Sequence, residues 1–342
     1  MAGDILISGG AGFVGTILTQ RLLDAGHHVR VFDTFWFGDF LPDRERLTKI
    51  RGDLRDKEAV ARALDGVESV IQLACLSNDP TSDLDPDLTR AINFDGCRDV
   101  ILEAKRQGVR RFIYASSASV YGVRDEPEIV EAMALAPITL YSRYKAEIEQ
   151  ELFAQGDSRF TTVAVRNSTV CGYSPRMRLD LILSIFVLAA MKKKVLTIEG
   201  GHQLRPLIHM QDLVDFYELA LRADAAAIHQ QAFNVSSDNY KVLDVARMVQ
   251  ERIPCELTFA GFADPRSYRV NTDKVRSALG YVPRRRIETA IDEIRAAVEG
   301  GLVRDDDPRC YNIRHMKHLV DTAGDGSVIE PFAAGSPVNR RV

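Results

Sequence analysis

The stretch Ile5–Gly15, ILISGGAGFVG, predicts how the first part of the chain folds. An apolar run leads into Gly9, Gly12 and Gly15, and a helix-like segment, Thr16–Leu23, follows. Glycines permit a tight turn and a close approach of phosphate oxygens to the backbone, and the free N–H groups of a helix N-terminus attract anions. A strand, a glycine turn and a helix in this order therefore predict a dinucleotide pyrophosphate site. The alternative is a turn that only connects two elements.

The next strand pattern, His28–Asp33, ends in an acidic side chain. A carboxylate at this point suits the hydroxyl groups of an adenosine ribose and would repel a 2′-phosphate. We therefore expect NAD as the cofactor, with Asp33 on the ribose. NADP remains the alternative.

Composition and charge are those of an ordinary globular protein. The 342 residues are 46% hydrophobic and 27% charged, with a formal net charge of −4 and a pI of about 6.0, which does not favour a nucleic-acid partner. Five scattered cysteines without a Cys-x-x-Cys pair favour free thiols in a reducing compartment. Because a strand is predicted from residue 4, we expect no signal peptide, and the apolar stretch 181–191 is too short to cross a bilayer. We expect a cytoplasmic protein with no membrane partner.

Strand and helix patterns alternate up to about residue 166. Strands are predicted at Asp4–Ser8, Val29–Asp33, Leu47–Arg51, Ser69–Leu73, Arg111–Ala115 and Thr161–Arg166. Helices are predicted near Phe13–Ala25, Lys57–Leu64, Leu88–Gln107 and Tyr141–Ala154. This alternation predicts an α/β fold with a doubly wound parallel sheet, covered by helices on both faces.

The pattern becomes irregular after about residue 170, which predicts a smaller, interleaved C-terminal substrate-binding domain. We expect residues 1–170, with roughly 207–237, to form the dinucleotide-binding domain. Residues 171–206 and 238–321 would form the substrate-binding cap. The segment 322–342 is rich in glycine, proline and serine, and we expect it to be a peripheral tail.

A tyrosine and a lysine are placed for proton transfer. Tyr141 and Lys145 are four residues apart in a predicted helix and so project from one face. A nearby ammonium stabilises a phenolate and should lower the tyrosine pKa from roughly 10 toward working pH. Such a tyrosine can remove a hydroxyl proton while a hydride leaves the same carbon. Taken alone, the spacing is also a common accident on helix surfaces.

A strand-end serine completes this set. The buried-type strand near Phe112–Ala115 runs into SSASVYG, and ligands lie at the carboxyl ends of parallel strands, so Ser117 can hydrogen-bond the reacting oxygen. The glycine turn, this serine and Tyr-x-x-x-Lys, in this order, closely resemble the extended short-chain dehydrogenase/reductase family. The resemblance is to its NAD-dependent nucleotide-sugar epimerase/dehydratase branch, typified by UDP-glucose 4-epimerase. It covers roughly residues 3–300 and implies a Rossmann fold.

The resemblance also implies roles for particular residues. Tyr141, Lys145 and Ser117 would be catalytic, with Ser117 also contacting substrate. The cofactor would be bound by Gly9, Gly12, Phe13, Val14, Gly15, Asp33, Asp53, Leu54, Leu73, Ala74, Cys75, Asn93, Tyr141, Lys145, Asn167 and Ser168. Two differences from the family pattern, Gln72 for histidine and Cys75 for alanine, remove no group that the chemistry needs. In relatives, the helices near 88–107 and 141–154 also form a dimer seam, so the resemblance implies a homodimer.

Two arginines resemble the family's clamp for a substrate diphosphate, Arg205 and Arg266. Guanidinium groups offer forked donors to anionic oxygens, although surface salt bridging is the alternative. Thr169 stands where galactose epimerases carry an asparagine, so the substrate contacts differ there. His315 and His318 have metal-ligand spacing, but no further ligand is evident near them in sequence, and we expect no metal.

The residues before Val-Tyr-Gly narrow the reaction. The family's 4,6-dehydratases carry Thr-Asp-Glu there, and its decarboxylases keep the glutamate, whereas this chain has Ser117, Ala118 and Ser119. Neither alanine nor serine readily replaces a carboxylic acid in proton transfer, which disfavours dehydration and decarboxylation. We expect an NAD-dependent nucleotide-sugar epimerase acting at C4. The alternatives are an NAD(P)H-dependent 4-ketosugar reductase and a non-catalytic dinucleotide sensor.

Overall fold

The computed structural model describes residues 3–124, 126–261, 267 and 269–322. The strands are β1 (Asp4–Ser8), β2 (Val29–Asp33), β3 (Leu47–Arg51), β4 (Val67–Gln72), β5 (Arg111–Ser117), β6 (Thr161–Asn167), β7 (Thr169–Cys171), β8 (Val195–Glu199), β9 (Leu204–His209), β10 (Gln231–Val235), β11 (Asp238–Lys241) and β12 (Glu256–Ala260). The helices are α1 (Phe13–Asp24), α2 (Lys57–Leu64), α3 (Asp79–Ser82), α4 (Pro86–Arg90), α5 (Cys97–Arg106), α6 (Leu140–Gln155), α7 (Ile182–Lys193), α8 (Met210–Arg222), α9 (Ala225–Ile228), α10 (Val242–Arg252), α11 (Asp273–Leu279), α12 (Ile287–Glu299) and α13 (Asn312–Thr322).

A seven-stranded parallel sheet has the order β10-β6-β5-β4-β1-β2-β3. The chain runs outward from β1 through β2 to β3, then returns to β4 on the other side of β1 and continues outward. The strand order therefore reverses between β1 and β4, and ligands bind in the crevice at such a reversal, outside the carboxyl ends of the strands. The predicted doubly wound α/β fold is confirmed.

Both faces of this sheet are buried, because successive side chains of a strand point to opposite sides. On one face, Ile7 and Ile113 pack in a cluster with α1 and α8. On the other face, Leu6 and Phe112 pack in a cluster with α2, α5 and α6. The near-continuous apolar strands of the sequence are thus explained by burial on two sides.

Two small sheets lie in the second half of the chain. A three-stranded sheet has the order β11-β9-β7, and β8 pairs with β12 in parallel. The apolar cluster of α1 and α8 continues into α7, α10 and α12, so both halves of the chain share one core. The predicted domain division stays a prediction. Residues 207–209 complete β9 of a small sheet, and the chain returns to the main sheet through α8 and β10.

The structure differs from the predicted elements mainly where segments are short. The helix predicted at 88–107 is interrupted by a π-helical segment, Ala91–Gly96, which brings Gly96 close to Leu54. The elements α3, β7, α9, β11, α11 and α13 were not predicted, because three to eleven residues give little periodic signal. No helix of the described ranges is long and apolar enough to cross a membrane.

Candidate active site

A cleft of about 440 Å³ opens at the carboxyl ends of the main-sheet strands. Most of the residues singled out from the sequence line it. These are Gly9, Gly12, Phe13, Val14, Gly15, Asp33, Asp53, Leu54, Leu73, Ala74, Cys75, Ser117, Tyr141, Lys145, Asn167, Ser168, Thr169 and Arg205. Asn93 is not among the lining residues, and Arg266 lies outside the described residues.

The glycine turn is shaped by close backbone approaches. Gly9 has a φ of +79°, and a Cβ there would lie 2.5 Å from the backbone nitrogen of Ala74. A Cβ on Gly15 would clash with the carbonyl oxygen of Gly9. α1 begins directly after this turn, capped by Gly12 with no side-chain hydrogen bond. The first N–H groups of any helix lack intrahelical acceptors, so the turn and the start of α1 leave donors and space for an anion.

Asp33 connects the glycine turn with the loop after β2. Its Oδ2 accepts a hydrogen bond from Ala11 N at 3.0 Å, and its Oδ1 accepts one from Phe35 N at 2.8 Å. Burial raises the pKa of Asp33, and these backbone N–H groups oppose that rise. Each carboxylate oxygen can accept a further hydrogen bond, which suits the hydroxyl groups of a ribose.

Asp53 and Asn93 make contacts of their own beside the cleft. Asp53 forms a two-point ion pair with Arg55, at 2.9 Å from Nε and 2.6 Å from Nη2. Asn93 lies in the π-helical segment and holds the loop after β4, accepting from Leu76 N at 2.7 Å and donating to Leu76 O at 3.0 Å. The side chain of Asn93 therefore shapes the loop rather than the surface of the cleft.

The proposed catalytic side chains are positioned by two elements. α6 begins with a capping box in which Thr139 Oγ1 accepts from Ser142 N at 3.2 Å, and this places Tyr141 in its first turn. Lys145 Nζ donates to Ala115 O at 2.6 Å and lies 5.6 Å from the centre of the Tyr141 ring.

Ser117 lies at the end of β5, and its Oγ accepts hydrogen bonds from Ser119 N at 3.2 Å and Ser119 Oγ at 2.9 Å. Because its oxygen is the acceptor in both bonds, the hydroxyl proton of Ser117 can be donated to another oxygen.

The pKa of Tyr141 differs from the expectation. Burial raises it and the ammonium of Lys145 lowers it, but the net direction is upward. The prediction of a net lowering was wrong for this structure, because the sequence spacing shows the lysine but not the desolvation of the phenol.

A polar cluster close to Tyr141 was not predicted. Thr139 Oγ1 donates to Asp79 Oδ1 at 2.7 Å, and Arg178 forms a two-point ion pair with Asp180 at 2.9 and 3.1 Å. Asp79 raises the pKa of Tyr141 and Arg178 lowers it. Asp79 begins a helix of only four residues, and Arg178 and Asp180 lie in the connection between β7 and α7, so no periodic or motif signal in the sequence marks them.

The remaining candidates are placed as follows. Arg205 lies on β9 at the cleft and donates to Leu204 O at 3.2 Å. His315 Nε2 lies 2.8 Å from Trp36 O, and the ring centres of His315 and His318 are 6.4 Å apart. Among the described residues, no group of three or more metal-ligating side chains is present. All five cysteines are free thiols.

Comparisons with known proteins place this site in a family. The model of the NAD dependent epimerase/dehydratase family matches residues 5–236. The chain is 28% identical over 303 residues to the UDP-glucose 4-epimerase of Lacticaseibacillus casei, covering 82% of this chain and 91% of that protein. It is 28% identical over 292 residues to UDP-glucuronic acid decarboxylase 4 of Arabidopsis thaliana, covering 82% and 65%.

A solved structure agrees with these matches. MoeE5 in complex with UDP-glucuronic acid and NAD has a TM-score of 0.77 and 26% identity, covering 87% of this chain and 100% of that chain. The resemblance inferred from the sequence is confirmed, and so is NAD as the cofactor. The chain belongs to the NAD-dependent epimerase/dehydratase family and is an enzyme of that family.

Proposed function

We propose that the protein is a nucleotide-sugar 4-epimerase, which oxidises the C4 hydroxyl to a ketone and then returns the hydride to the opposite face of the sugar. The observation that carries the proposal is the set of Ser117, Tyr141 and Lys145 lining the same cleft as the glycine turn. Ala118 and Ser119 follow Ser117, and neither supplies the carboxylic acid that elimination of water would use.

The cleft fits NAD. The pyrophosphate would bind beside the start of α1, where Gly9, Gly12 and Gly15 line the cleft, and the carboxylate of Asp33 would bind the adenosine ribose. Asp53 and Leu54 would lie by the adenine, while Leu73, Ala74 and Cys75 would line the groove. Asn167 and Ser168 would lie under the nicotinamide. When bound, NAD supplies an acceptor, and then a donor, for the hydride.

Side chains of this protein would transfer the proton of the C4 hydroxyl. Tyr141, as a phenolate, would accept the proton of the C4 hydroxyl, and Ser117 would donate a hydrogen bond to the same oxygen. Lys145 is held by Ala115 O and would stabilise the phenolate electrostatically. The same groups, acting in reverse, would return the proton to the keto oxygen.

The substrate is proposed to be a nucleoside diphosphate sugar. The relatives named above act on or bind UDP-sugars, and Arg205 lines the cleft from the second half of the chain. We propose that Arg205 and Arg266 bind the diphosphate and that Thr169 contacts the sugar. A cap of residues 171–206 and 238–321 would enclose it. We also propose that the protein is cytoplasmic and forms a homodimer through the faces of α4–α5 and α6. Sedimentation velocity would test the dimer.

A ketosugar reductase is the second candidate, and one observation favours it. Burial raises the pKa of Tyr141, so the phenol holds its proton more firmly than a free tyrosine. A protonated phenol suits donation to a keto oxygen, which is the proton step of a reduction. An epimerase donates a proton to a keto oxygen only in the second half of its catalytic cycle. Stoichiometric consumption of NADH or NADPH would support the reductase.

The proposed function is tested with Tyr141→Phe. This variant should still bind NAD but lose turnover by roughly 10²–10⁴-fold, because it lacks the proton acceptor. Tyr144→Phe is the matched control, since Tyr144 lies on the same helix and does not line the cleft. The readout is interconversion of nucleotide sugars without added cofactor. Near-normal turnover by Tyr141→Phe would contradict the assignment of the base.

A further inference from the structure

A segment from the second half of the chain lies directly on the start of α1. Ser174, in the connection between β7 and α7, is fully buried there. Its Oγ donates to Phe13 O at 2.8 Å and lies 2.8 Å from Thr16 Oγ1. This connection is therefore fixed to the helix end at which the pyrophosphate is expected to bind.

Arg176 follows two residues later and brings a guanidinium group into the cleft. It lines the cleft although only 4% of its surface is exposed. The guanidinium lies 3.9 Å from the centre of the Phe37 ring, and Nη2 donates to Asn312 Oδ1 at 2.6 Å. Within the described part of the chain, Arg176 forms no ion pair, and its buried Nε has no hydrogen-bond partner.

Such a cation is costly unless an anion accompanies it. Burial lowers the pKa of Arg176 to about 9, the charge of Arg178 lowers it further, and Asp180 and Asp33 only partly compensate. A buried charge normally has a paired partner and filled hydrogen bonds, and one that lacks them destabilises the fold. An unsatisfied Nε on a guanidinium at the edge of a cleft is the arrangement expected where a ligand supplies the missing anion.

We propose that Arg176 binds the pyrophosphate of NAD, so that the glycine turn and a guanidinium from the second half of the chain hold the phosphates together. Phosphate oxygens accept forked hydrogen bonds from arginine, and Nε–H is one of the free donors. Phe37 and Asn312 orient the guanidinium. The proposal rests on NAD binding and is independent of whether the sugar is epimerised or reduced.

The 2′-phosphate of NADP and the diphosphate of the substrate are the two alternative ligands for the guanidinium of Arg176. The structure argues against both. A 2′-phosphate of NADP would lie beside Asp33, whose carboxylate would repel it. A substrate diphosphate would lie farther along the cleft, toward Arg205. The contacts of Ser174 with Phe13 and Thr16 place the Arg176 segment at the pyrophosphate end.

Calorimetric titration of nucleotide-free protein tests the proposal. Arg176→Met removes the charge and Arg176→Lys retains it. Arg309→Gln is the control that removes a charge outside the cleft, at a side chain, Arg309, that is 44% exposed. Four probes separate the phosphates: ADP-ribose, adenosine, NADP and UDP. Arg176→Met should weaken ADP-ribose binding by about tenfold or more while leaving adenosine and UDP unchanged. Arg176→Lys should recover part of the loss, and Arg309→Gln should match the unaltered protein.

A second measurement separates binding from folding. Replacing an unpaired buried cation with an apolar side chain of similar length should leave the stability of nucleotide-free protein unchanged or raised. A lower stability with unchanged ADP-ribose affinity would make Arg176 a structural residue and overturn the proposal. A loss confined to UDP would assign it to substrate, and a loss confined to NADP would assign it to the 2′-phosphate. ADP-ribose carries no nicotinamide, so failure of the proposed reaction would not affect these results.

Discussion

The largest of the influences on the pKa of the Tyr141 phenol oppose each other: burial raises this pKa and Lys145 lowers it. A tyrosine that acts as a base needs its phenolate form, and that form grows as the pH rises through the pKa. Because burial prevails, we expect the rate of oxidation at C4 to increase with pH on the alkaline side of neutrality.

Lys145→Met should move this limb of the pH–rate profile to higher pH by about one unit or more, because the ammonium that stabilises the phenolate is gone. Lys193→Met, at an exposed lysine of α7, should leave the profile in place. The profile of kcat/KM measures both. A limb that stays fixed in Lys145→Met would show that another group titrates.

Gly9 and Gly108 have nearly the same φ, +79° and +81°, but different surroundings. A Cβ at Gly108 meets nothing within 4 Å, whereas one at Gly9 would lie 2.5 Å from Ala74 N. Gly108→Ala should therefore cost only the left-handed strain, about 1 kcal/mol of unfolding free energy. Gly9→Ala should cost more and also abolish NAD binding.

Denaturant unfolding and NAD titration of the two variants check this prediction. Equal losses of stability, with NAD binding retained in Gly9→Ala, would show that the turn is not held closely against Leu73 and Ala74, which follow β4.

Single residues with local signals could be predicted from the sequence. The glycines, Asp33 and Tyr141 belong to short motifs whose spacing implies their chemistry, and they line the cleft. Arg176 and Asn312 line it too, but they come together only when the chain between them folds. The pKa of Tyr141 was predicted in the wrong direction for a related reason, since burial is a property of the folded molecule.

At the scale of elements, the start of α6 links stability to catalysis. Thr139 caps this helix two residues before Tyr141, and Asp56 caps α2 with a comparable bond to Ala59 N at 3.0 Å, outside the cleft. Thr139→Ala and Asp56→Ala should each cost about 1 kcal/mol of unfolding free energy. Only Thr139→Ala should also lower kcat, because Tyr141 lies in the turn that loses its cap.

Thermal unfolding and steady-state rates at a temperature where both variants are folded separate the two effects. An equal fall of kcat in Asp56→Ala would mean that stability, and not the position of Tyr141, sets the rate.

The strands β1 to β6 were predicted to within two residues at each end, because their apolar runs are bounded by glycines and polar turns. The helices α1, α2 and α6 were predicted comparably well. The short elements of the second half were missed, since β7 and β11 have three and four residues and depend on their partners in β9. Pairing between distant segments cannot be read from local periodicity.

At the scale of the molecule, the cofactor cleft joins the two halves of the chain. Its lining runs from the glycine turn through Arg176 to Asn312 and Met316 of α13. Ligands that bind only the folded state stabilise it, by about 2.7 kcal/mol at one hundred times their Kd. NAD and ADP-ribose should therefore raise the Tm of the whole chain in one cooperative transition.

Calorimetry of nucleotide-free protein with increasing ADP-ribose measures this effect. Separate transitions, with only one of them moved by the ligand, would show that the halves unfold independently and that the second half takes no part in the site.

Transfer of a C4 label tests the proposed epimerisation most directly. UDP-sugars deuterated at C4 (glucose, N-acetylglucosamine and glucuronic acid) would be incubated with NAD-loaded protein and followed by NMR. We predict that at least one of them yields its C4 epimer with the deuterium still on C4 and with no net NADH. Deuterium that leaves with released NADH, or a complete absence of turnover across nucleotide sugars by NAD-loaded protein, would contradict it.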